Sequence, residues 1–545
     1  MAEFDLCLLD CSAIQDYVFG SNKLKSNVGA SQIVEEIYSE EPKGWLAQVI
    51  AEVVPAGKFV LKKWRETPEK IHLGKPGTLM ETGYVGGGNA LLLFRRHDGE
   101  NLAKKFVQAW TRKLLLEAPG VQPVVAIQET DSLDNPAALE AVFKLLEENK
   151  NLQKAETVIP RHGITAECKV TGLSVEDYHS SGKNQKEYLS SVAAAKFEQA
   201  DAANDAINEK YLTKEFDTKY KQYTFGNDLE ALGQKKGEDN HIAIVHIDGN
   251  SIGEKFKACE TPADKRMLAD RIDDITTKAV QATLQKLRPY LPDLVDGSLQ
   301  PYWNPKTQQY ILPVRPIVLS GDDITFISDA RLGFFLAETF MKAFTAGNLR
   351  DIAPLQKNEN LAKLSCCAGI AITRTKYPFY RGYQLAEKLC RRAKKEGRES
   401  NTSWLDFHFS HSGLSFGDLE TLRQRRYQVG ENKLLWRPWK LGDPNNMQDF
   451  QAAKNAIHHF RTQGREGKGW PNSKLHELFH ALVQGQEQTK GFLAQAKARG
   501  LTLHHIPEAG NAHETGWYSN RTPYYDILEM MDFYPESLMK EANNV

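Results

Sequence analysis

Charge of one sign is what this 545-residue chain lacks: 69 lysines and arginines face 70 aspartates and glutamates, for a formal net charge of −1. No global field therefore draws the protein onto nucleic acid or an anionic surface, and any such contact has to come from local patches. Long apolar runs are also missing. None approaches the roughly 20 residues that a membrane-spanning helix needs, and the start Met1-Ala-Glu-Phe-Asp5 has neither the basic region nor the apolar stretch of a secretory signal. Cysteine is sparse and scattered: Cys7, Cys11, Cys168, Cys259, Cys366, Cys367 and Cys390 form no Cys-x-x-Cys pair. That suits reduced thiols. These absences predict a cytoplasmic protein with no membrane partner, long enough for three or four domains.

What is present is an acidic turn. Gly321-Asp322-Asp323 stands between the β-branched runs Arg315-Pro-Ile-Val-Leu-Ser320 and Ile324-Thr-Phe-Ile-Ser328. Two such runs around a Gly-Asp turn predict a β-hairpin with adjacent carboxylates at its tip. A third acid, Asp248, ends the apolar run His241-Ile-Ala-Ile-Val-His-Ile247. A Gly-Asp-Asp turn by itself is common on surface hairpins, because these residues tolerate positive φ. The strand-end acid is what makes a metal site the better reading.

The order of elements recurs. A strand over residues 4–10, helical segments, the turn Gly86-Gly-Gly-Asn89 between strands, a helix over about 101–117 and a strand at 122–128 make the first copy. In the second, a strand ends at Asp248, helices cover about 262–289, the acidic hairpin follows, then a helix over about 331–347, a strand at 365–372 and a helix over about 380–396. Laid over each other, Asp10 falls on Asp248 and Gly86–Asn89 on Ser320–Asp323, so the first copy keeps the turn and lacks its acids. The domains expected are 1–135 (first copy, degenerate), 136–238 (a helix-rich linker), 239–408 (second copy, acid-complete) and 409–545 (a helical tail). The fold class expected is α+β.

Magnesium prefers oxygen ligands and usually takes one or two carboxylates plus substrate phosphates and waters. Asp248 and Asp323 are the expected metal ligands, with Asp322 as a third ligand or a helper for an attacking hydroxyl; Mg2+ or Mn2+ is the expected cofactor. The turn Gly249-Asn250-Ser251-Ile252-Gly253 leads into a helix, and its amides, with Ser320 and Gly321, are candidates to hold a triphosphate.

These stretches together resemble the large polymerase-cyclase subunit of type III CRISPR effector complexes, a two-palm family related to GGDEF-type cyclases. Leu9-Asp-Cys-Ser-Ala-Ile-Gln-Asp-Tyr-Val-Phe-Gly20 and Tyr84-Val-Gly-Gly-Gly-Asn89 resemble the first palm; Ile247-Asp-Gly-Asn-Ser-Ile-Gly253, Ser320–Asp323, Cys367-Ala-Gly-Ile-Ala-Ile372 and Ala393-Lys-Lys-Glu-Gly-Arg398 resemble the active second palm. The resemblance implies two ferredoxin-like palm domains and assigns Lys394 to phosphate. It further implies ATP as substrate, cyclic oligoadenylate messengers made in antiviral defence, and RNA and other effector subunits as partners. A homo-oligomer is compatible with it. The sequence departs from the family pattern in three ways. Ser320 replaces the first glycine of Gly-Gly-Asp-Asp, Asn250 replaces the second acid of Asp-Gly-Asp, and a lone Cys168 stands where relatives carry a four-cysteine zinc knuckle. The expectation is a reduced member without the histidine-aspartate nuclease domain that relatives often carry, and His97-Asp98 has no partner histidines.

Two other readings remain open: a non-catalytic palm subunit of an RNA-guided complex, and a cyclase using GTP or mixed nucleotides. His476-Glu-Leu-Phe-His480 fits the His-Glu-x-x-His zinc pattern, with His504, His505 or Glu508 as a third ligand. Leu475, Leu478, Phe479 and Leu482, however, give the same segment a core-facing helical stripe. The tryptophans Trp436, Trp439 and Trp470 are expected in the core of the tail.

Overall fold

The computed structural model describes residues 2–96, 101–152, 163–181, 185–216, 222–232, 240–293, 301–398, 400–410, 419–464 and 468–538; His97 and Asp98 lie outside them. Two sheets organise the chain. The first contains β1 (Phe4–Ser12), β2 (Phe59–Val60), β3 (Met80–Gly86), β4 (Asn89–Arg95) and β5 (Gln122–Thr130) in the order β2-β3-β4-β1-β5. The second contains β6 (His241–Gly249), β7 (Val314–Ser320), β8 (Asp323–Asp329), β9 (Cys366–Arg374), β10 (Trp404–Phe409) and β11 (Trp439–Lys440) in the order β7-β8-β6-β9-β10-β11. Each therefore sets a hairpin beside the opening strand, with the closing strand on its other edge. That is the ferredoxin-like arrangement, and the architecture is α+β with two palms.

The duplication extends to irregular details. Both hairpins slip register just before their turns, between Thr82 and Tyr84 in one and between Pro316 and Val318 in the other. Both opening strands feed their helices through a residue in the left-handed region, Ala13 at φ 54° and Ser251 at φ 55°. The helix Pro136–Leu152 lies against β5 and β1 as the helix Phe379–Gly397 lies against β9 and β6. The boundary expected at residue 135 thus cuts through the first palm, whose closing helix had been assigned to the linker. It was misplaced because Pro136 reads as a fresh start after the loop Asp131-Ser-Leu-Asp-Asn135.

The palms are joined face to face. Apolar residues of both, among them Phe19, Leu24 and Val28 from the first and Ile244, Ala371 and Leu389 from the second, form one core. Ring stacking of Phe19 on Tyr383, with centroids 3.7 Å apart, belongs to this seam. Arg266, fully buried on the helix Pro262–Leu287, reaches into the first palm. It donates to Gly83 O (2.9 Å), Lys70 O (3.1 Å), Thr82 O and Glu81 Oε1 (2.9 Å). A guanidinium so placed has its charge paired and its donors satisfied, which is the condition for tolerating burial.

Beyond residue 410 the expectation of a purely helical tail needs amendment. Trp439–Lys440 pairs with β10 and adds a sixth strand to the second sheet. The helices Phe450–Thr462, Asn472–Gln484, Gln486–Ala498 and Tyr524–Met531 share one core with the face of that sheet opposite the first palm. Trp436, Trp439 and Trp470 lie in this core, and Arg437 is sealed there against Asp526, Glu529 and the Phe407 ring. Two residues are too short a strand to show any alternation in sequence. Among the described residues no helix is long and apolar enough to cross a membrane.

Candidate functional site

The strand register brings the acids together. Asp248, near the end of β6, is the direct cross-strand partner of Asp323, the first residue of β8. Directly opposed residues point to the same face with Cβ atoms about 4.5–5.5 Å apart. The intervening turn is two residues long, and Gly321 takes φ 58° there, a conformation that favours glycine. Gly249 is needed for another reason: a Cβ at that position would stand 2.8 Å from Asp322 Cβ, so the absent side chain makes room for the second acid. Lys394, on the closing helix, places Nζ 2.5 Å from Asp248 Oδ2 and donates to Gly249 O at 2.9 Å.

Burial and mutual repulsion charge this arrangement. Asp322 and Asp323 are both pushed up from 3.8 to about 7, first by burial and then by the negative charge of Asp248. Lys394 opposes the shift in both, and a hydrogen bond from Gln15 Nε2 to Asp323 Oδ2 (3.3 Å) opposes it at Asp323. The site is recessed rather than sealed, since a third of the Asp323 side chain still meets solvent. His246 stands beneath it, Nδ1 3.0 Å from Thr325 Oγ1 and 3.4 Å from Asp323 Oδ1. Burial lowers its pKa, so at neutral pH it is an uncharged neighbour.

A divalent ion fits the two facing carboxylates. Asp323 Oδ1 is buried without a hydrogen-bond partner, and carboxyls raised to about 7 by burial and then by like charge are relieved by a cation. Among the described residues no three His, Cys, Asp or Glu side chains form a ready metal cage. The set matches the magnesium habit of using few protein ligands and completing the shell with phosphate and water.

The neighbouring turn departs from expectation. Gly249 N donates to Asp322 O (3.2 Å) and Asn250 N to Ser365 O (2.9 Å), so neither amide is free for phosphate. The Asn250 side chain is buried and donates to Ser365 Oγ (2.9 Å) and Thr402 O (3.0 Å). Asn250 is therefore a structural clamp and not a nucleotide contact. Its polar character misled because sequence does not tell which way a side chain turns. Ser251 and Gly253 flank the start of the helix Ile252–Ala258, while Ser320 and Gly321 hold the hairpin tip. Lys255, one turn on, points inward and donates to the carbonyls of Asn360, Leu361 and Lys363.

Some contributors escaped the sequence entirely. Gln15 comes from the first palm, 308 residues from the acid it touches. Thr276, on the helix Pro262–Leu287, donates to Gly321 O at 2.6 Å. A cavity of about 580 Å3 opens between the helices Ile14–Phe19 and Phe379–Gly397, lined by Gln15, Asp16, Tyr380, Tyr383, Gln384 and Glu387 among others. The first palm keeps a matching ion pair, Lys150 Nζ to Asp10 Oδ2 at 2.7 Å, but Asn89 stands opposite Asp10 where Asp323 faces Asp248. On the helix Asn472–Gln484, Leu475 and Leu478 are buried, His476 and His480 face solvent, and Glu477 pairs with Lys474.

Comparison with known proteins follows the same lines. Residues 241–402 match the family described as Cas10/Cmr2, second palm domain. No curated protein is matched by the sequence. Solved structures with similar folds include Csm1 from T. onnurineus (14% identity, TM-score 0.51, covering 98% of this chain and 69% of that one). They also include the Csm1-Csm4 cassette in complex with cA3 (13%, 0.51, 98% and 69%). The cassette in complex with pppApA is similar too (12%, 0.51, 97% and 69%). Residues 241–402, which hold Asp248, the Gly321-Asp322-Asp323 turn and Lys394, are thus a second palm domain of the Cas10/Cmr2 kind.

Proposed function

We propose that this protein is a metal-dependent nucleotidyltransferase that joins ATP through 3′–5′ linkages into oligoadenylates, which it closes into rings. The observation that carries the reading is the pairing of Asp248 with Asp323 across one register position, with Lys394 on Asp248. Mg2+ or Mn2+ held by Asp248 and Asp323 would supply Lewis-acid activation of the attacking 3′-hydroxyl and charge stabilisation for the departing pyrophosphate. In each transfer the 3′-oxygen bonds to the α-phosphorus, the bond to the bridging β-oxygen breaks, and pyrophosphate leaves. The hydroxyl proton passes to a base, and Asp322, with its carboxyl near 7, suits that task at neutral pH. Lys394 is placed to trade part of its contact with Asp248 for phosphate oxygens.

Adenine is named because solved relatives bind pppApA and cA3. By the same likeness the chain would work beside a Csm4-like subunit and within an RNA-guided complex. The test is a product screen with each of the four ribonucleoside triphosphates and either metal, with and without RNA. The wild-type protein is compared with the Asp322→Ala/Asp323→Ala double variant. Oligoadenylate from wild type and a loss of at least about 100-fold in the variant are expected. The reading is refuted if folded wild-type protein makes no oligonucleotide under any of these conditions, or if the variant equals it. Product from GTP alone would overturn the choice of base.

A further inference from the structure

The helix Pro262–Leu287 carries two buried threonines that use their hydroxyls differently. Thr283 returns Oγ1 to Ala279 O at 2.7 Å, four residues back along its own helix. That is the usual resort of a threonine inside a helix. Thr276 is 1% exposed, yet its Oγ1 leaves the helix and donates at 2.6 Å to Gly321 O, 45 residues away. The acceptor is the first residue of the acidic turn. The next carbonyl of that turn, Asp322 O, accepts from Gly249 N at 3.2 Å. Both carbonyls at the tip are thus held, one by the helix and one by the residue after Asp248.

The carbonyls of the turn lie beyond the hairpin's own last paired residues, Ser320 and Asp323, and both are held from outside the hairpin. A site that must hold two carboxylates against a third needs its groups fixed within about 0.5 Å. The negative charge of Asp248 beside Asp322 and Asp323 acts to spread the three acids apart. A tie on the backbone of the turn resists that spreading without occupying any carboxylate oxygen.

We propose that Thr276 is a positioning residue for the acidic site: its hydroxyl anchors the Gly321 carbonyl and so sets Asp322 and Asp323 against Asp248. It touches neither substrate nor metal. This inference rests on the transfer reading above, and the experiment separates the two. Thr276→Val keeps the shape and β-branch and removes the donor; Thr276→Ser keeps the donor. Three quantities are measured for each: kcat and KM with ATP, the affinity for Mn2+ by calorimetry without nucleotide, and the melting temperature. Thr276→Val is expected to lower kcat and weaken Mn2+ binding by about 10-fold or more, with KM changed by no more than about twofold. Thr276→Ser is expected to restore both to within about threefold of wild type.

The inference is overturned if Thr276→Val leaves kcat and Mn2+ affinity unchanged, if it lowers only the melting temperature, or if valine and serine variants fall alike. Should Thr276→Val fail to fold, Thr276→Ala against Thr276→Ser makes the same comparison. If the wild-type protein makes no product, the transfer reading fails, and Mn2+ affinity still decides the role of Thr276.

Discussion

Gly369→Ala should disable the site from behind while leaving its acids intact. Gly369 lies in β9 beneath the helix Phe379–Gly397, and a Cβ there would stand 1.9 Å from Ala386 O, 2.4 Å from Cys390 N and 2.9 Å from Leu389 Cβ. Two of these are backbone atoms, so no side chain can rotate away. To reach even the shortest tolerable contact the helix must lift by at least about 1 Å near Ala386. Lys394 sits two turns further along that helix, with contacts of 2.5 Å to Asp248 and 2.9 Å to Gly249 O that such a lift would break or lengthen. Overpacking of this kind costs about 1–3 kcal/mol in stability, while a 1 Å misplacement at a reacting centre can cost about 100-fold in rate. The expected outcome is a folded protein, melting several degrees lower, whose turnover of ATP has fallen by about 100-fold. Calorimetric unfolding and a product assay on one preparation measure both. A Gly369→Ala protein that keeps turnover within about twofold of wild type would refute the argument that the close approach of helix and strand places Lys394.

Two further predictions concern charge. Removing Arg266 as Arg266→Met takes from Glu81 its guanidinium partner at the palm seam and leaves it the amides of His72 and Leu73; breaking such a buried pair costs about 3–5 kcal/mol. Denaturant unfolding should show that loss, and a change under about 1 kcal/mol would mean the palms do not depend on this tie. The second concerns pH. Asp322 and Asp323 titrate near 7 in the folded protein against an ordinary 3.8, so between those values the folded state holds more protons than the unfolded one. Metal-free protein should therefore gain stability as pH falls from about 8 to about 5, and lose Mn2+ affinity over the same window. Asp322→Asn/Asp323→Asn should lack both trends; melting curves and Mn2+ titrations at several pH values with the same slopes in variant and wild type would sink this.

Much of the site was legible because its signals are local. A glycine-acid turn between two β-branched runs and an acid ending an apolar run are read within a dozen residues each, and strand register then makes Asp248 and Asp323 neighbours. The duplication was legible for the same reason, through the turn at Gly86–Asn89. What stayed hidden depends on three-dimensional direction or long sequence separation. Nothing near Gln15 or Thr276 marks them as neighbours of an acid hundreds or tens of residues away. Asn250 and Lys255 carry the residue types of a phosphate turn, yet both face inward. The closing helix of the first palm was assigned to the linker because a proline start looks alike at the edge of a domain or within one. Family resemblance alone singles out Lys394, and as a phosphate contact rather than as the partner of Asp248, since five other basic residues share its stretch between Lys388 and Arg398.

The two turns meet at their tips. A Cβ on Gly321 would already be in van der Waals contact with the backbone of Gly87, at 3.6 and 3.7 Å, and Gly87 itself takes φ 60°. Each glycine is required by its own left-handed backbone, and at Gly321 the other turn stands within van der Waals reach as well. The first turn carries Gly88 and Asn89 where the second carries Asp322 and Asp323, yet it still stands against the acidic tip. The palm without acids is thus a wall beside the working one: its turn borders Gly321 and its Gln15 reaches Asp323.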